Sequence, residues 1–319
     1  MRIFQTLIII PLLALAACAS ATGFEKPIGD FSDATAKAST ALQALDQASA
    51  QQYNAISLEE AVAAPGRITR KDGECRLRTS KSCTLVLLPA TDGEPTLPLH
   101  VTSLVPHSIE AMNAVNDYAA ALKSLVTADA SADVKDGLGK ALGAAVSLGG
   151  TLGVTNAAAL SAIQTPLTDV GVYLFQQYQN DVKIGALQRA TQAADPTIQA
   201  AMDLLSMEYV AIQSSNAARV SDEYEGKLVE AREKTGDAAE PAILALIDSA
   251  QAFDAALKLR NTDVYAQVAK AHNKLTQALK NPEVSLLDAI AQVQLLVEQI
   301  KNLQTVAEQI AASNKKPAK

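Results

Sequence analysis

The sequence predicts a mainly α-helical protein, an elongated antiparallel helical bundle with long, coiled-coil-like helices and a small disulfide-stapled β-hairpin insertion. About 60 of the 319 residues are alanine, the strongest helix former. Aromatic residues make up only 4% of the chain and tryptophan is absent, whereas β-sandwiches and barrels are rich in aromatic and β-branched residues. Long segments without Gly or Pro also place apolar residues at alternating spacings of three and four. We therefore expect helices over most of the chain.

The first residues, MRIFQTLIIIPLLALAACAS, have the layout of a secretory signal. One cation, Arg2, precedes an apolar run of 11 residues from Leu7 to Ala17, and small residues lead up to Cys18. The apolar run is too short for a spanning helix, which needs about 20 residues. We expect residues 1–17 to be a signal peptide.

The sequence Leu15-Ala16-Ala17-Cys18 resembles a bacterial lipobox, at which the cysteine is diacylated and signal peptidase II cleaves before it. The resemblance implies a lipoprotein held in a membrane by acyl chains on Cys18, each buried methylene contributing about 0.8 kcal/mol. By the sorting rule of enteric lipoproteins, Ala19 implies the outer membrane, with the protein facing the periplasm. Residues 18–30 would then be a tether. The alternative is an ordinary signal peptide with a chance cysteine at its cleavage site.

Residues 31–64 are predicted to form the first bundle helix, which ends at Pro65-Gly66. Its alanine-rich seam has the alternating spacing of a helix that packs along another helix. The seam residues are Ala34, Ala38, Ala41, Leu45, Ala48, Gln52 and Ala55.

Residues 66–105 are predicted to form the β insertion. Cys75 and Cys83, in KDGECRLRTSKSCTLVLL, are an even pair in an exported chain and predict a disulfide across the two arms of a hairpin. Their spacing differs from the Cys-x-x-Cys redox motif, and no His or third Cys lies near enough in sequence to complete a zinc site. A further strand is expected from Leu97 to Val105.

Basic residues gather around this hairpin, opposed only by Asp72 and Glu74. They are Arg67, Arg70, Lys71, Arg76, Arg78 and Lys81. In an acidic protein such a cluster is a candidate contact for anionic headgroups or for an acidic partner. The simpler interpretation, which we favour, is an edge strand that is kept soluble by charge.

Residues 108–313 are predicted to complete the bundle. Ser108 would cap a helix whose inward face is Ile109, Met112, Val115, Ala119, Leu122 and Val126. Asp195-Pro196, Asn281-Pro282 and the capping box Asp237-x-x-Glu240 mark helix starts. They delimit helices at 165–194, 196–234, 238–260, 262–280 and 282–313, of which the second would be about 58 Å long and the last about 48 Å.

The final helix carries a wide apolar stripe, which we expect inside the bundle rather than against a partner helix. The stripe comprises Leu286, Ile290, Val293, Val297, Ile300 and Ala307, flanked by Leu287, Leu296, Leu303 and Ile310.

The segment 137–167 does not fit a plain bundle, because no charged residue lies between Lys140 and Asp169. Gly139-x-x-x-Gly143 and Gly149-x-x-x-Gly153 have the spacing that lets membrane helices touch backbone to backbone. Insertion in a membrane is one hypothesis. The other, favoured by Asn156 and the many small polar residues, is a central helix so crowded that only small side chains fit.

Catalytic and metal-binding patterns are missing. His100, His107 and His272 form no metal-binding pair, and the chain contains no His-Glu-x-x-His, Gly-x-Ser-x-Gly or P-loop motif. Carboxylates cluster at Asp222, Glu223 and Glu225 and at Asp129, Asp133 and Asp136, in both cases as expected of a solvated helix face. The net charge of −7 argues against nucleic-acid binding. We expect no cofactor, no metal and no catalysis.

Residues 314–319 form a basic tail ending in Lys319. The tail resembles the end of Braun-type lipoproteins, whose terminal lysine is joined to peptidoglycan; the alternative is an exposed electrostatic tail. The sequence thus predicts a lipid-anchored cell-envelope protein, attached to the membrane by its lipid, that acts as an interaction or scaffolding module with an envelope protein partner or as a homo-oligomer. The alternatives are a membrane-active protein that inserts 137–167 and an enzyme whose site forms only in three dimensions.

Overall fold

The computed structural model describes residues 21–71, 84–89, 96–153, 172–260 and 263–314. These residues form seven α-helices, three short strands and two 3₁₀ turns, at Pro65–Arg67 and Gly236–Ala238. The helices are α1 (Ala21–Ala63), α2 (Pro106–Thr127), α3 (Ser131–Thr151), α4 (Val172–Glu233), α5 (Ala239–Arg260), α6 (Val264–Lys280) and α7 (Pro282–Asn314). Strands β1 (Ile68–Arg70), β2 (Leu85–Leu87) and β3 (Leu97–Pro98) form one antiparallel sheet in the order β1-β2-β3. The prediction of a mainly helical chain with a small β insertion is confirmed.

Several predicted features lie outside the described residues and stay predictions. They are the signal peptide with Cys18 and Ala19, the cysteines Cys75 and Cys83, the cations Arg76, Arg78 and Lys81, residues 154–167 of the uncharged segment, and Lys319.

The start of α1 corrects the predicted tether, because residues 21–30 are helical. Phe24, Ile28 and Phe31 are buried on one face of this first part of the helix. Burying such side chains stabilises by about 1.5–3 kcal/mol each, which together outweighs the roughly 3 kcal/mol that Pro27 costs inside a helix. The helix therefore begins ten residues before the predicted start at 31.

The predicted seam of α1 is buried from Ala34 to Gln52, but Ala55 is exposed. Beyond Gln52 the helix buries Ile56 and Ser57 instead, because Ile56 packs against Val220 of α4 and other residues of a second, smaller core. The seam changes face where α1 changes its neighbours.

Antiparallel packing of neighbouring helices builds the main bundle. Lys123 Nζ lies 2.8 Å from Asp33 Oδ1 and Ser39 donates to Asn113, so that α2 runs antiparallel to α1. Helix α6 likewise runs antiparallel to α4, as three hydrogen-bonded pairs show. The pairs are Gln188 with Leu279, Gln199 with Ala269, and Ser206 with Asp263. Helix α1 packs mainly against α2 and α7.

Helix α4 corrects the predicted break at Asp195-Pro196, since it continues through Pro196 for 62 residues, about 93 Å. Two causes are visible. Asp195 does not cap a helix, because its carboxylate accepts hydrogen bonds from α6. The buried face of α4 also continues across the proline, so its burial offsets the lost backbone hydrogen bond. The buried residues on the two sides are Ala190, Ala194, Ile198, Ala201, Met202 and Leu205.

The segment that leads into α2 corrects two further predictions. Only Leu97 and Pro98 form a strand, and the residues that follow are fixed to α1 instead. Asp46 accepts hydrogen bonds from the backbone N–H groups of Leu104 and Val105, at 2.7 and 3.0 Å. Val105 rather than Ser108 precedes the helix, and Ser108 is buried.

The remaining helix starts lie close to the predicted ones. Asp263 caps α6, because its side chain accepts a hydrogen bond from the backbone N–H of Ala266 at 2.9 Å. Helix α7 begins at Pro282 as predicted, and its stripe is largely buried. Leu287 is the exception, with 80% of its surface exposed, because it points away from the bundle.

The described part of the uncharged segment belongs to α3, which packs mainly on α2. Gly139 and Gly143 are exposed, and a Cβ added at either would meet no atom within 4 Å. Crowding is therefore the wrong explanation for these two glycines. A close approach occurs instead at Gly137, where an added Cβ would lie 3.0 Å from Leu125 Cγ.

Candidate functional site

One end of the molecule gathers features that the main bundle lacks. We call it the sheet end: the last turns of α1 (residues 52–63), the three strands with the residues that adjoin them (65–71, 84–89 and 97–98), and the α4–α5 hairpin (residues 220–253). The end of α1 contacts both other parts. Lys227 Nζ of the hairpin lies 3.9 Å from Glu59 Oε2, and Ile56 packs with Val220 and Ala252. On the sheet side, the Tyr53 hydroxyl donates to the Pro98 carbonyl at 3.0 Å. Tyr224 also stacks on Phe253, with ring centroids 5.7 Å apart, and this holds the two helices of the hairpin together.

Large apolar side chains are exposed at the sheet end. Of the fifteen such side chains among the described residues, nine lie there, each between 37% and 73% exposed. They are Leu58, Val62, Ile68, Leu85, Leu88, Val229, Ile243, Leu244 and Ile247. Concentrated apolar exposure of this kind marks interaction sites, whereas singly scattered exposed residues need no explanation.

The predicted basic cluster lies in part within the sheet end. Arg70 and Lys71, at the end of the edge strand β1, are exposed, and no acidic residue occurs between residues 61 and 71. Arg67 is half-buried, and its Nε donates to the Leu88 carbonyl at 2.7 Å, so that one cation fixes the fold of the sheet. The exposed cations of this strand remain available to a partner.

The α4–α5 hairpin carries the opposite charge. Between residues 222 and 240 there are seven acidic and three basic side chains. Asp222 and Glu225 of the predicted carboxylate cluster are exposed there, as expected of a solvated face, and so are Glu233 and Asp237. In the other predicted cluster, Asp129, Asp133 and Asp136 are also exposed, and Asp136 lies 2.6 Å from Lys140. The sheet end therefore carries a basic part and an acidic part, both with exposed apolar side chains.

A buried network of polar side chains crosses the main bundle, and the sequence reasoning missed it. The Tyr118 hydroxyl lies 2.8 Å from His272 Nε2, and His272 Nδ1 lies 2.8 Å from Asp195 Oδ1. Asn273 and Gln199 donate to the same carboxylate at 3.1 and 3.2 Å. His272 is completely buried, while the Asp195 side chain is 20% exposed. The network ties α2, α4 and α6 to one another.

The electrostatics of this network follow from burial and hydrogen bonding. Burial by itself would raise the pKa of Asp195, but the hydrogen bonds from His272, Gln199 and Asn273 help to lower that pKa overall. The pKa of Tyr118 is raised well above its usual value by burial and by the charge of Asp195. Tyr118 therefore stays a neutral hydroxyl.

This arrangement resembles a catalytic Asp–His pair, but its burial and hydrogen bonding fit a structural role, in which it links the helices. A general base must reach a substrate proton, directly or through one water, and His272 has no exposed surface. Both of its ring nitrogens already have partners inside the protein. The sequence did contain a signal that His272 lies on the buried face of α6. It lies four residues after the buried Val268 and three before the buried Leu275.

A second buried group of tyrosines lies nearer the start of α6. Tyr209 and Tyr265 meet edge to face, with ring centroids 5.7 Å apart. Burial raises the pKa of Tyr209, and the nearby Tyr265 and Asp263 raise it further. The Tyr209 hydroxyl has no hydrogen-bond partner among the described residues.

An open groove of about 500 Å³ runs between α1 and α7. Five of its ten lining residues are alanines, and Glu308 is the one charged residue among them. The lining residues are Thr40, Ala41, Ala44, Gln47, Ala48, Gln51, Gln304, Ala307, Glu308 and Ala311. The groove exists because the facing side chains of α1 and α7 are small, and Glu308 is the single ionisable group that a ligand would meet there.

In the part of the chain that the structure describes, no three His, Cys, Asp or Glu side chains are placed together so that they could hold a metal ion, and His100 and His107 are exposed. None of the helices in this part is both long enough and apolar enough to cross a membrane. None of the protein-family models, curated proteins and solved structures with which we compared the chain matches it.

Proposed function

We propose that the protein is a lipid-anchored cell-envelope protein that acts as a non-catalytic interaction or scaffolding module, with the sheet end as its docking surface. The observation that carries this proposal is the concentration of exposed apolar side chains at the sheet end, in nine of fifteen cases. Leaving such groups in water costs roughly 25 cal/mol per Å² of apolar area that a partner would cover. The surface is therefore better suited to a bound partner than to solvent.

The position of the surface agrees with an anchor at Cys18. Helix α1 begins at Ala21, three residues after that cysteine, and its other end lies at Ala63 beside the sheet. With 43 residues, α1 is about 64 Å long. A lipid at Cys18, three residues before Ala21, would therefore hold the protein near the end of α1 opposite to the docking surface.

Two finer features belong to the same proposal. The Cys75–Cys83 disulfide would close the segment between β1 and β2, as an exported protein permits. Coiled-coil-like packing of α1 along α7 is supported by the buried alternating alanines of α1 and the buried stripe of α7.

The anchor is tested by labelling the full chain in bacteria with a fatty-acid analogue. We expect the wild-type protein to take up the label and the Cys18→Ser variant to lose both the label and membrane association. The Cys75→Ser/Cys83→Ser variant serves as the matched control and should keep the label. Labelling of Cys18→Ser at the wild-type level would contradict the anchor.

The docking surface is tested by placing a photo-crosslinking amino acid at exposed apolar positions of the full chain in its native envelope. Leu58 and Ile243 represent the sheet end, and Leu287, which is 80% exposed in the main bundle, is the control. We expect discrete crosslinked products from the first two positions and none from the third. Equal crosslinking at all three positions, or none at the sheet end, would overturn the proposed docking surface.

A further inference from the structure

The charge distribution at the sheet end restricts the kind of partner that fits it. The edge strand offers Arg70 and Lys71 beside the exposed Ile68 and Leu85, while the hairpin offers acidic side chains beside Ile243, Leu244 and Ile247. A partner that covers both must present acidic groups to the sheet and basic groups to the hairpin, each next to apolar side chains. An anionic membrane meets only the first condition, because the hairpin would be repelled.

A second copy of this chain meets both conditions. In an interface with two-fold symmetry, if one surface of a subunit contacts another surface of its partner, the reverse contact forms as well. The basic sheet of one copy would lie on the acidic hairpin of the other, and the same pairing would occur a second time. Opposite charges and apolar side chains would then meet in both halves of the interface.

Building on the proposed function, we propose that the partner at the sheet end is a second copy of this chain, bound as a symmetric dimer in which the sheet of each copy docks on the α4–α5 hairpin of the other. The apolar side chains supply the affinity of this dimer. The segregated charges set its register and exclude the alternative in which two acidic hairpins face each other.

The test uses full-length chains with two different tags, co-expressed in the native envelope, with a photo-crosslinker at Ile247. Two variants reverse the charges: the sheet variant carries Arg70→Glu and Lys71→Glu, and the hairpin variant carries Glu233→Lys and Asp237→Lys. Each variant alone should give about tenfold less crosslinked dimer, since like charges then oppose each other in both halves of the interface. Co-expression of the sheet variant on one tagged chain with the hairpin variant on the other should restore the wild-type yield. In this mixed pair the acidic sheet of one chain faces the basic hairpin of the other, and the two unchanged surfaces face each other.

The control matched to the sheet variant carries Lys37→Glu and Lys135→Glu, which make the same change in net charge as that variant at exposed positions away from the sheet end. It should crosslink as the wild type does. Yields that do not respond to the sheet and hairpin reversals, or a mixed pair that does not recover, would overturn the dimer. Crosslinking of Ile247 to a different protein would overturn the dimer and leave the interaction module standing, whereas no product from any sheet-end position would contradict the interaction module itself.

Discussion

At the scale of single residues, His272 is held by partners that leave it no unsatisfied nitrogen. With Asp195 ionised, the hydrogen-bonding partners assign the ring proton to Nδ1, which donates to the carboxylate. Nε2 then accepts from the Tyr118 hydroxyl. A buried polar group costs little while its partners are present and much more when one is removed. The network therefore stabilises the fold only while each of its members is present.

The contrast between Tyr118 and Tyr209 tests this dependence. Tyr118→Phe should lower the free energy of unfolding by about 1–3 kcal/mol, because it leaves His272 Nε2 buried without a partner. Tyr209→Phe removes a hydroxyl that has no partner among the described residues and should leave the stability equal or higher. Urea unfolding followed by circular dichroism measures both. Equal losses in the two variants would contradict the assigned role of Tyr118.

The lowered pKa of Asp195 predicts how stability depends on pH. The unfolded carboxyl has a pKa near 3.8 and the folded one a lower value, so on acidification the unfolded state takes up the proton first. The contribution of Asp195 is thus complete above the unfolded pKa and is lost as the pH falls from there through the folded pKa. Asp195→Asn should reduce the slope of unfolding free energy against pH below about pH 5. Urea titrations between pH 3 and 6 measure the slope, and an unchanged slope would count against the prediction.

At the scale of helices and strands, the sequence predicts most elements but not all of their ends. The sequence predicts that Asp195 caps a helix, whereas Asp263, the same residue type, falls inside the predicted helix 262–280. Asp263 does cap α6, whereas Asp195 reaches across to α6 from the middle of α4. The side chain is the same in the two cases, and Asp195 even precedes a proline, yet the contact with the neighbouring helix decides the outcome. Helix ends that depend on tertiary packing were for this reason not predictable.

The glycines of α3 provide a prediction at this scale. Gly143→Ala should raise the free energy of unfolding by about 0.5–1 kcal/mol, because the site is exposed, helical and open to a Cβ. Gly137→Ala should give no such gain, since the new Cβ would lie 3.0 Å from Leu125 Cγ. Urea midpoints of the two variants measure the difference. A larger gain at Gly137 than at Gly143 would show that packing between α2 and α3 is looser than described.

At the scale of the whole molecule, α4 belongs both to the main bundle and to the α4–α5 hairpin, and these two parts differ in how many of their residues are buried. The main bundle buries a continuous core, whereas none of residues 221–241 is buried. The sequence could indicate the basic side chains of the insertion, since they are close together along the chain. It could not bring the acidic hairpin to the end of α1, because that contact depends on Lys227 and Val220 of α4 meeting Glu59 and Ile56. Half of the candidate surface was therefore visible only in the structure.

The difference between bundle and hairpin predicts unequal protection from hydrogen exchange. Regions with few buried apolar contacts open at a lower free energy than the core. Amides in residues 222–247 should exchange faster than those of α6, which is largely buried. The measurement is best made on the full chain with Arg70→Glu and Lys71→Glu, so that no docked copy covers the hairpin. Similar protection in the hairpin and in α6 would contradict the prediction.

The packing of α1 along α7 has a consequence for how the chain matures. At about 5–20 residues per second, the ribosome needs on the order of 10–40 s to make the residues between these two helices. During that interval α1 lacks one of its two main partners, and contacts so distant in sequence also form slowly. A truncated mRNA that ends before α7 would therefore yield a chain in which the apolar face of α1 is uncovered. We expect such a chain to be degraded by proteases rather than to function.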